Sequence, residues 1–232
     1  MNKPDWWYDE FRHFAVDFDD PQQVAAYDAR QGTKLVAERE LVRRLGISVG
    51  QVVVEFGTGT GVFAQAAAEA GATVIAVDIS PAMLAYGAKR ADEANLSKSM
   101  SFVREGFLSY KHDAPSADFV VTKYAFHHLP DFWKGIALSQ FAVMLKPGGK
   151  FYLEDVVFSF APTNVEASVE AWIKQVADGE GFSRADFAGH VRDEFSTYGW
   201  ILEGLMERSG FEIIERNYTS PTYANYLCVK KH

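Results

Sequence analysis

One short stretch of the sequence joins a carboxylate to glycines that alternate with threonines, in a way that suits ligand binding. A β-branched run ends at the carboxylate of Glu55, and Gly57, Gly59 and Gly61 follow it at alternate positions. Glycine permits positive φ and lets a ligand touch the backbone, as in loops that hold nucleotide-type ligands at the carboxyl end of a parallel strand. A second carboxylate, Asp78, ends the next apolar run, near the spacing of about 20 residues expected of an acid that binds ribose hydroxyls.

The details of this loop discriminate between cofactors. A dinucleotide fingerprint requires G-x-G-x-x-G, but Val62 stands at its third glycine position. Glu55 would also repel a pyrophosphate, because both are negatively charged. A carboxylate at this place suits a cationic ligand without phosphate. S-adenosylmethionine is such a ligand, since it carries a sulfonium, an ammonium and two ribose hydroxyls.

Residues 55–61 (EFGTGTG) resemble motif I of the class I S-adenosylmethionine-dependent methyltransferases, E/D-x-G-x-G-x-G. Residues 79–83 (ISPAM) resemble the family segment that packs on adenine, residues 123–129 (KYAFHHL) the segment after strand four, and residues 145–149 (LKPGG) the turn before strand five. The resemblance covers residues from about 35 to 156, and its segments fall in the family's order.

The resemblance implies which residues bind S-adenosylmethionine. They are Glu55, Gly57, Thr58, Gly59, Gly61, Asp78, Ile79, Met83, Gly106, Phe107 and Tyr124. One position departs from the family: after strand three the family usually carries Gly-Asp, whose aspartate binds the adenine amino group, but here the pair is Glu105-Gly106. We expect adenine to rely on backbone groups and on packing against Phe107, or Glu105 to substitute for the aspartate.

Lys123 and His127 are the candidate general bases, because the resemblance places them at the cofactor mouth. We expect the neighbouring His128 to have a structural role in the turn between strand and helix. Two adjacent histidines point apart and do not easily bind one metal ion together. Glu154 and Asp155 end strand five and are a weak magnesium candidate. The favoured alternative is that they lie at a solvated strand end or contact the inserted segment of residues 158–200. No metal is therefore predicted.

Strands alternate with helices along most of the chain, which predicts right-handed βαβ units. Together with the resemblance, this predicts an α/β, Rossmann-like methyltransferase fold. Its sheet has seven mostly parallel strands, helices on both faces and a late antiparallel edge strand. We expect a single methyltransferase domain over residues 1–232, with a first helix over residues 22–45 that ends at Gly46.

Two aromatic segments stand apart from this alternation. Residues 1–30, with Trp6, Trp7, Tyr27 and Arg30, are interpreted either as a lid that brings Tyr27 or Arg30 near the cofactor carboxylate or as a helix packed on the sheet edge. Residues 158–200, here called the inserted cap, are aromatic and poor in basic residues. In related enzymes such caps enclose the acceptor, and enclosed pockets are mostly apolar.

The composition of the chain limits which classes of partner it is expected to bind. The formal net charge of -8 argues against a protein that tracks nucleic-acid phosphates. A single cysteine, Cys228, excludes a disulfide framework, and neither a signal peptide nor an apolar run of bilayer length is evident. We therefore expect a cytoplasmic protein whose partner is a small-molecule acceptor, with no membrane or nucleic-acid partner; the sequence does not decide the oligomeric state.

The resemblance implies S-adenosylmethionine-dependent methyl transfer to a small molecule by in-line displacement. A non-catalytic S-adenosylmethionine-binding module is the alternative from another class, and a nicotinamide-dependent oxidoreductase is a weaker one. The residues leave open whether the acceptor atom is O, N, S or C.

Overall fold

A mixed sheet forms the centre of the protein. The computed structural model describes residues 4–12, 24, 27, 34–113, 115–177 and 183–231. The parallel part of the sheet consists of β1 (Val52–Phe56), β2 (Thr73–Asp78), β3 (Met100–Arg104), β4 (Ala117–Lys123) and β5 (Leu145–Phe158). These strands are continuous apolar runs because helices cover both of their faces. The predicted α/β class and parallel sheet are confirmed.

The sheet ends in an antiparallel hairpin, as predicted. β7 (Phe211–Ser220) pairs with β8 (Tyr223–Lys230), and β8 in turn pairs with β5, so that the order is β3-β2-β1-β4-β5-β8-β7. The antiparallel β8 therefore lies between β5 and the edge strand β7. A two-residue strand, β6 (Thr197–Tyr198), pairs with the end of β5 outside this seven-strand path.

Helices pack on both faces of the sheet. On one face lie α1 (Leu35–Leu45), α2 (Val62–Glu69) and α3 (Pro81–Glu93), and on the other α4 (Asp131–Met144) and α7 (Gly199–Arg208). The predicted start of α3 is confirmed: Ser80 Oγ accepts a hydrogen bond from the Met83 amide at 3.1 Å, and Pro81 occupies the first turn.

Two sequence predictions change in detail. α1 ends at Gly46 with φ +78°, as expected, but its described span begins at Leu35, and most of residues 22–33 lie outside the described residues. The predicted turn at residues 145–149 lies within β5, where the register with β4 shifts. A register shift lets the chain turn without leaving the sheet, so a turn-like composition does not end the strand.

The inserted cap contains α5 (Val165–Ala177), α6 (Arg184–Asp193) and β6. It packs on the carboxyl end of β5 through a small apolar cluster in which Trp172 contacts Phe158, Phe187 and Tyr223. The Phe195 amide also donates a hydrogen bond to the His127 carbonyl at 2.8 Å. The inserted cap is therefore docked on the sheet end, beside the turn that follows β4.

The N-terminal aromatic residues pack against α4. Trp6, Trp7 and Tyr8 all form ring contacts with Trp133. Among the described helices, none combines the length and apolar character needed to cross a bilayer.

Two helical glycines, Gly135 in α4 and Gly199 in α7, give a matched test of how tightly these helices are packed. A Cβ at Gly199 would lie 1.9 Å from the Tyr218 hydroxyl, which hydrogen-bonds Glu203, whereas a Cβ at Gly135 would lie 3.6 Å from its nearest neighbour. We expect Gly199→Ala to lower the free energy of unfolding by about 1–3 kcal/mol through overpacking. Gly135→Ala should raise it by about 0.5–1 kcal/mol through helix propensity. Urea denaturation measures both, and shifts of the same sign would contradict the packing described.

Candidate active site

A cavity opens where the carboxyl ends of β1, β2 and β4 meet. Its empty volume is about 830 Å³, part of it open to solvent, which is within the usual range for small-ligand pockets. Its walls combine the glycine loop, the ends of these strands and the N-terminal segment. The lining residues are Glu10, Arg12, Tyr27, Phe56, Gly57, Gly59, Asp78, Ile79, Met83, Glu105, Gly106, Phe107, Lys123, Tyr124, Ala125, His128 and Leu129.

The loop after β1 has room only for glycine at a key position. Gly57 has φ +66°, and a Cβ there would lie 2.3 Å from the Ala125 Cβ. The loop therefore packs directly on the segment after β4. Gly61, with φ +75°, is the N-cap of α2 and lines neither this cavity nor the smaller one beside it.

Asp78 fixes the loop to the end of β2. One of its carboxylate oxygens accepts the Gly59 amide at 2.8 Å and the other accepts the Ser80 amide at 2.9 Å. The carboxylate is thereby held at the cavity wall.

Glu55 lies in a smaller adjoining cavity, which is also lined by Thr58, Tyr27 and Glu38. Its carboxyl is buried and accepts the Thr58 hydroxyl at 2.5 Å. Burial raises the pKa of Glu55 to about 8, although the Thr58 hydrogen bond acts in the opposite direction. Glu55 is thus largely protonated at neutral pH, and an approaching cation would favour its ionised form.

Glu10 is a site residue that the sequence analysis missed. Its Oε2 accepts the Leu108 amide at 2.7 Å, and a Cβ at Gly106 would lie 2.4 Å from that same oxygen. The N-terminal segment thus places a carboxylate at the position where the family pattern expects the aspartate after strand three. Glu10 and Leu108 are 98 residues apart, so no local signal in the sequence links them.

Lys123 and Tyr124 are fixed by acidic partners. Lys123 Nζ lies 2.6 and 2.7 Å from the two carboxylate oxygens of Glu38 and 3.6 Å from Glu154. Tyr124, with φ +50°, donates its hydroxyl to Glu154 at 2.9 Å. Burial, followed by the Glu154 charge, raises the pKa of Tyr124 well above its ordinary value. A base role for Lys123 stays a prediction.

The two adjacent histidines face different surroundings. His128 lines the cavity, whereas His127 does not and is buried behind it. The Asp155 carboxylate accepts the His127 backbone amide at 3.0 Å and the ring Nδ1–H at 2.5 Å. A base role for His127 stays a prediction. His128, which the sequence analysis expected to be structural, is the histidine that lines the cavity.

The same surroundings set opposite charge states for the two rings. Burial alone would lower the pKa of His127, but the Asp155 carboxylate outweighs it and raises the pKa above its ordinary value. Burial and then repulsion from His127 lower the pKa of His128 to about 3. The cavity therefore presents a neutral imidazole.

The predicted site residues divide into four groups, one of which, Gly61 and His127, lines neither cavity. The cavity itself brings together Gly57, Gly59, Asp78, Ile79, Met83, Gly106, Phe107, Lys123, Tyr124 and Tyr27. Glu55 and Thr58 line the adjoining cavity. Arg30 lies outside the described residues, as do its neighbours in the predicted lid.

The charges of the two cavities suit a cationic ligand. Carboxyl groups of Glu10, Asp78 and Glu105 line the larger one. Glu38 and Glu55, of which Glu55 is largely protonated before a ligand binds, line the smaller. Two cationic side chains, Arg12 and Lys123, stand against these five acids among the described lining residues. A sulfonium with an ammonium group fits this excess of acid, whereas a pyrophosphate does not.

Comparison with known proteins agrees with this geometry. Residues 53–149 match the family model described as a methyltransferase domain. A Geobacillus sp. (strain WCH70) protein named as an uncharacterized methyltransferase is 32% identical over 206 residues, which are 88% of each chain.

Two solved structures share the fold. Magnesium protoporphyrin IX methyltransferase from Synechocystis PCC 6803, with bound SAH, has a TM-score of 0.64 at 15% identity and covers 96% of this chain and 91% of its own. Phosphoethanolamine N-methyltransferase 2 from Haemonchus contortus, with S-adenosyl-L-methionine, has a TM-score of 0.70 at 18% identity and covers 94% of this chain and 61% of its own. The glycine loop, the acids that face it and these relatives agree that the chain belongs to the class I S-adenosylmethionine-dependent methyltransferases.

Proposed function

We propose that the enzyme methylates a small, neutral or cationic, partly hydrophobic molecule. The observation that carries the proposal is the shared cavity: the cofactor loop, His128 and Leu129 line one space that Glu10 and Arg12 of the N-terminal segment also border. A space of this size does not admit a folded macromolecule, and its acidic lining disfavours a phosphate-rich acceptor. The acceptors for which the two structural neighbours are named, phosphoethanolamine and magnesium protoporphyrin IX, are likewise small molecules.

S-adenosylmethionine supplies an electrophilic methyl group on a sulfonium that is a good leaving group. The chain's own residues mainly orient the two reactants, which lowers the entropic barrier of an in-line displacement. Asp78 would hold ribose hydroxyls, and Phe107, Ile79 and Met83 would pack on adenine. Glu55 would attract the ammonium group.

His128 is the side chain best placed to orient the acceptor. It is neutral because its pKa is lowered to about 3, so it is a weak base but a competent hydrogen-bond partner. A hydroxyl or amine acceptor could donate to it. Strong proton abstraction is not required if the acceptor atom is already nucleophilic.

The inserted cap does not line the cavity through any described residue. Its contact with the site runs instead through the turn that contains His127 and His128. Enclosure of the acceptor by the inserted cap therefore stays a prediction, as do the single-domain boundaries and a cytoplasmic location.

The acceptor class is tested with methyl-labelled S-adenosylmethionine and a library of small amines, thiols, phenols and alcohols. We expect transfer to a small neutral or cationic compound. With that acceptor, His128→Asn should lower kcat about tenfold while S-adenosylmethionine affinity stays unchanged, because one orienting hydrogen bond is lost. His112→Asn is the control, since His112 hydrogen-bonds Tyr110 and Ser116 outside the cavity. Transfer only to RNA or protein would overturn the proposal.

The raised pKa of Glu55 predicts proton release on cofactor binding. With a pKa of about 8, the Glu55 carboxyl is largely protonated at pH 7 in the free enzyme. A cationic ligand lowers that pKa, so Glu55 releases its proton as the complex forms. Affinity should therefore rise as the pH increases toward 8. Calorimetry in two buffers with different ionisation enthalpies counts the released protons. We expect release by the wild type and little by Glu55→Gln; equal release by both would exclude Glu55 as the source.

Glu10 is expected to replace the family's adenine-binding aspartate. Glu10→Ala should weaken S-adenosylmethionine binding about tenfold or more, since hydrogen bonds to charged groups contribute about 1.5–3 kcal/mol. Gly106→Asp added to Glu10→Ala should restore binding, because the new carboxylate enters the space that Glu10 vacates. Glu105→Gln is the matched control and should bind normally. If Glu105→Gln is impaired and Glu10→Ala is not, Glu105 is the substitute.

A further inference from the structure

Three metal-ligating side chains converge behind the cavity. His127, His190 and Glu194, here called the His–His–Glu cluster, place their ligand-type atoms within 4.8 Å of one another. Glu194 Oε2 lies 3.3 Å from His127 Nε2 and also contacts His190 Nδ1. The three side chains are only 9%, 13% and 8% exposed, in the order His127, His190 and Glu194. Because all three side chains are largely buried, the convergence is not a solvated surface cluster.

The carboxylate of Glu194 is buried between the two imidazoles. Its Oε2 lies 3.3 Å from His127 Nε2, and His190 is its hydrogen-bonding and ionic partner. A carboxylate buried in this way needs positive charge beside it. A divalent cation bound by the three side chains would supply that charge and displace the protons between them.

The ring nitrogens that face away from the cluster are already held. His127 Nδ1–H donates to Asp155 at 2.5 Å, and His190 Nε2 lies 2.8 Å from Ser196 Oγ. These contacts orient His127 Nε2 and His190 Nδ1 toward Glu194. A carboxylate or hydroxyl behind each ligating imidazole is the usual arrangement around protein-bound metal ions.

We propose that the His–His–Glu cluster binds one divalent transition-metal ion of the zinc class. Two imidazole nitrogens and one carboxylate oxygen are a set that zinc accepts, whereas magnesium and calcium prefer all-oxygen sites. The site differs from the Glu154–Asp155 pair considered from the sequence, because Asp155 orients a ligand here and does not bind the ion.

The ion would join two parts of the fold. His127 belongs to the turn after β4, whereas His190 and Glu194 lie at the end of α6 in the inserted cap. The His127 and His128 rings are 4.4 Å apart between centroids, and His128 lines the cavity. Metal binding would therefore fix the wall that faces the acceptor while remaining independent of the acceptor's identity.

The test uses tag-free, full-length enzyme that has been treated with a chelator. Co²⁺ is titrated and followed by its visible absorption, and Zn²⁺ content is measured by mass spectrometry. We expect a single ion per chain and a rise in Tm on metal addition. Glu194→Gln and His190→Asn should each weaken Co²⁺ binding about tenfold or more, and His112→Asn should bind like the wild type. S-adenosylmethionine binding verifies that each variant is folded.

Several results would overturn the proposal. One is a wild type that binds no stoichiometric metal, which would leave the cluster as ion pairs between histidines and acids. Another is metal binding that is equal in the wild type and in Glu194→Gln, which would place the ion elsewhere. If either ligand variant fails to fold, Ser196→Ala removes only the partner of His190 and should still weaken Co²⁺ binding. Unaltered binding in Ser196→Ala would then count against the site. Because the experiment measures metal content, its result tests the metal site independently of the proposed acceptor class.

Discussion

The buried contact between Asp155 and His127 holds the functional end of the protein together. Asp155 lies at the carboxyl end of β5 and accepts both the backbone amide and the ring N–H of His127. The pKa of Asp155 is lowered by His127 in spite of its burial, so the carboxylate is charged and these hydrogen bonds are strong. They fix the conformation of the turn after β4, and the rest of the site follows from that turn.

Fixing this turn has two consequences on opposite sides. On one side it directs His128 into the cavity, where burial keeps the imidazole neutral. On the other side the His127 carbonyl accepts the Phe195 amide, and His127 Nε2 faces Glu194. The buried Lys134 holds the same part of the inserted cap, since its Nζ donates a hydrogen bond to the Phe195 carbonyl. The wall of the cavity and one of the contacts that dock the inserted cap thus meet at one pair of side chains.

The electrostatics of the cavity match the chemistry of its cofactor. Acids at the strand ends outnumber the cationic side chains, and Lys123 is held by Glu38. Such a lining attracts a sulfonium and disfavours a phosphate-bearing cofactor. The net charge of -8 gives the whole protein a field of the same sign.

The sequence by itself determined the sheet, the glycine loop and the acid after β2. Each depends on residues close together in the chain: the periodicity of buried strands, the alternation of Gly57 and Gly59, and the Ser80-Pro81 helix start. Only the tertiary structure decided which histidine faces the cavity. Adjacent residues in a short helical turn point in different directions, and the choice was made by Asp155, which belongs to another strand. The carboxylate of Glu10 beside Gly106 and the approach of Glu194 to His127 were likewise beyond sequence reasoning, because each joins segments that only chain folding brings together.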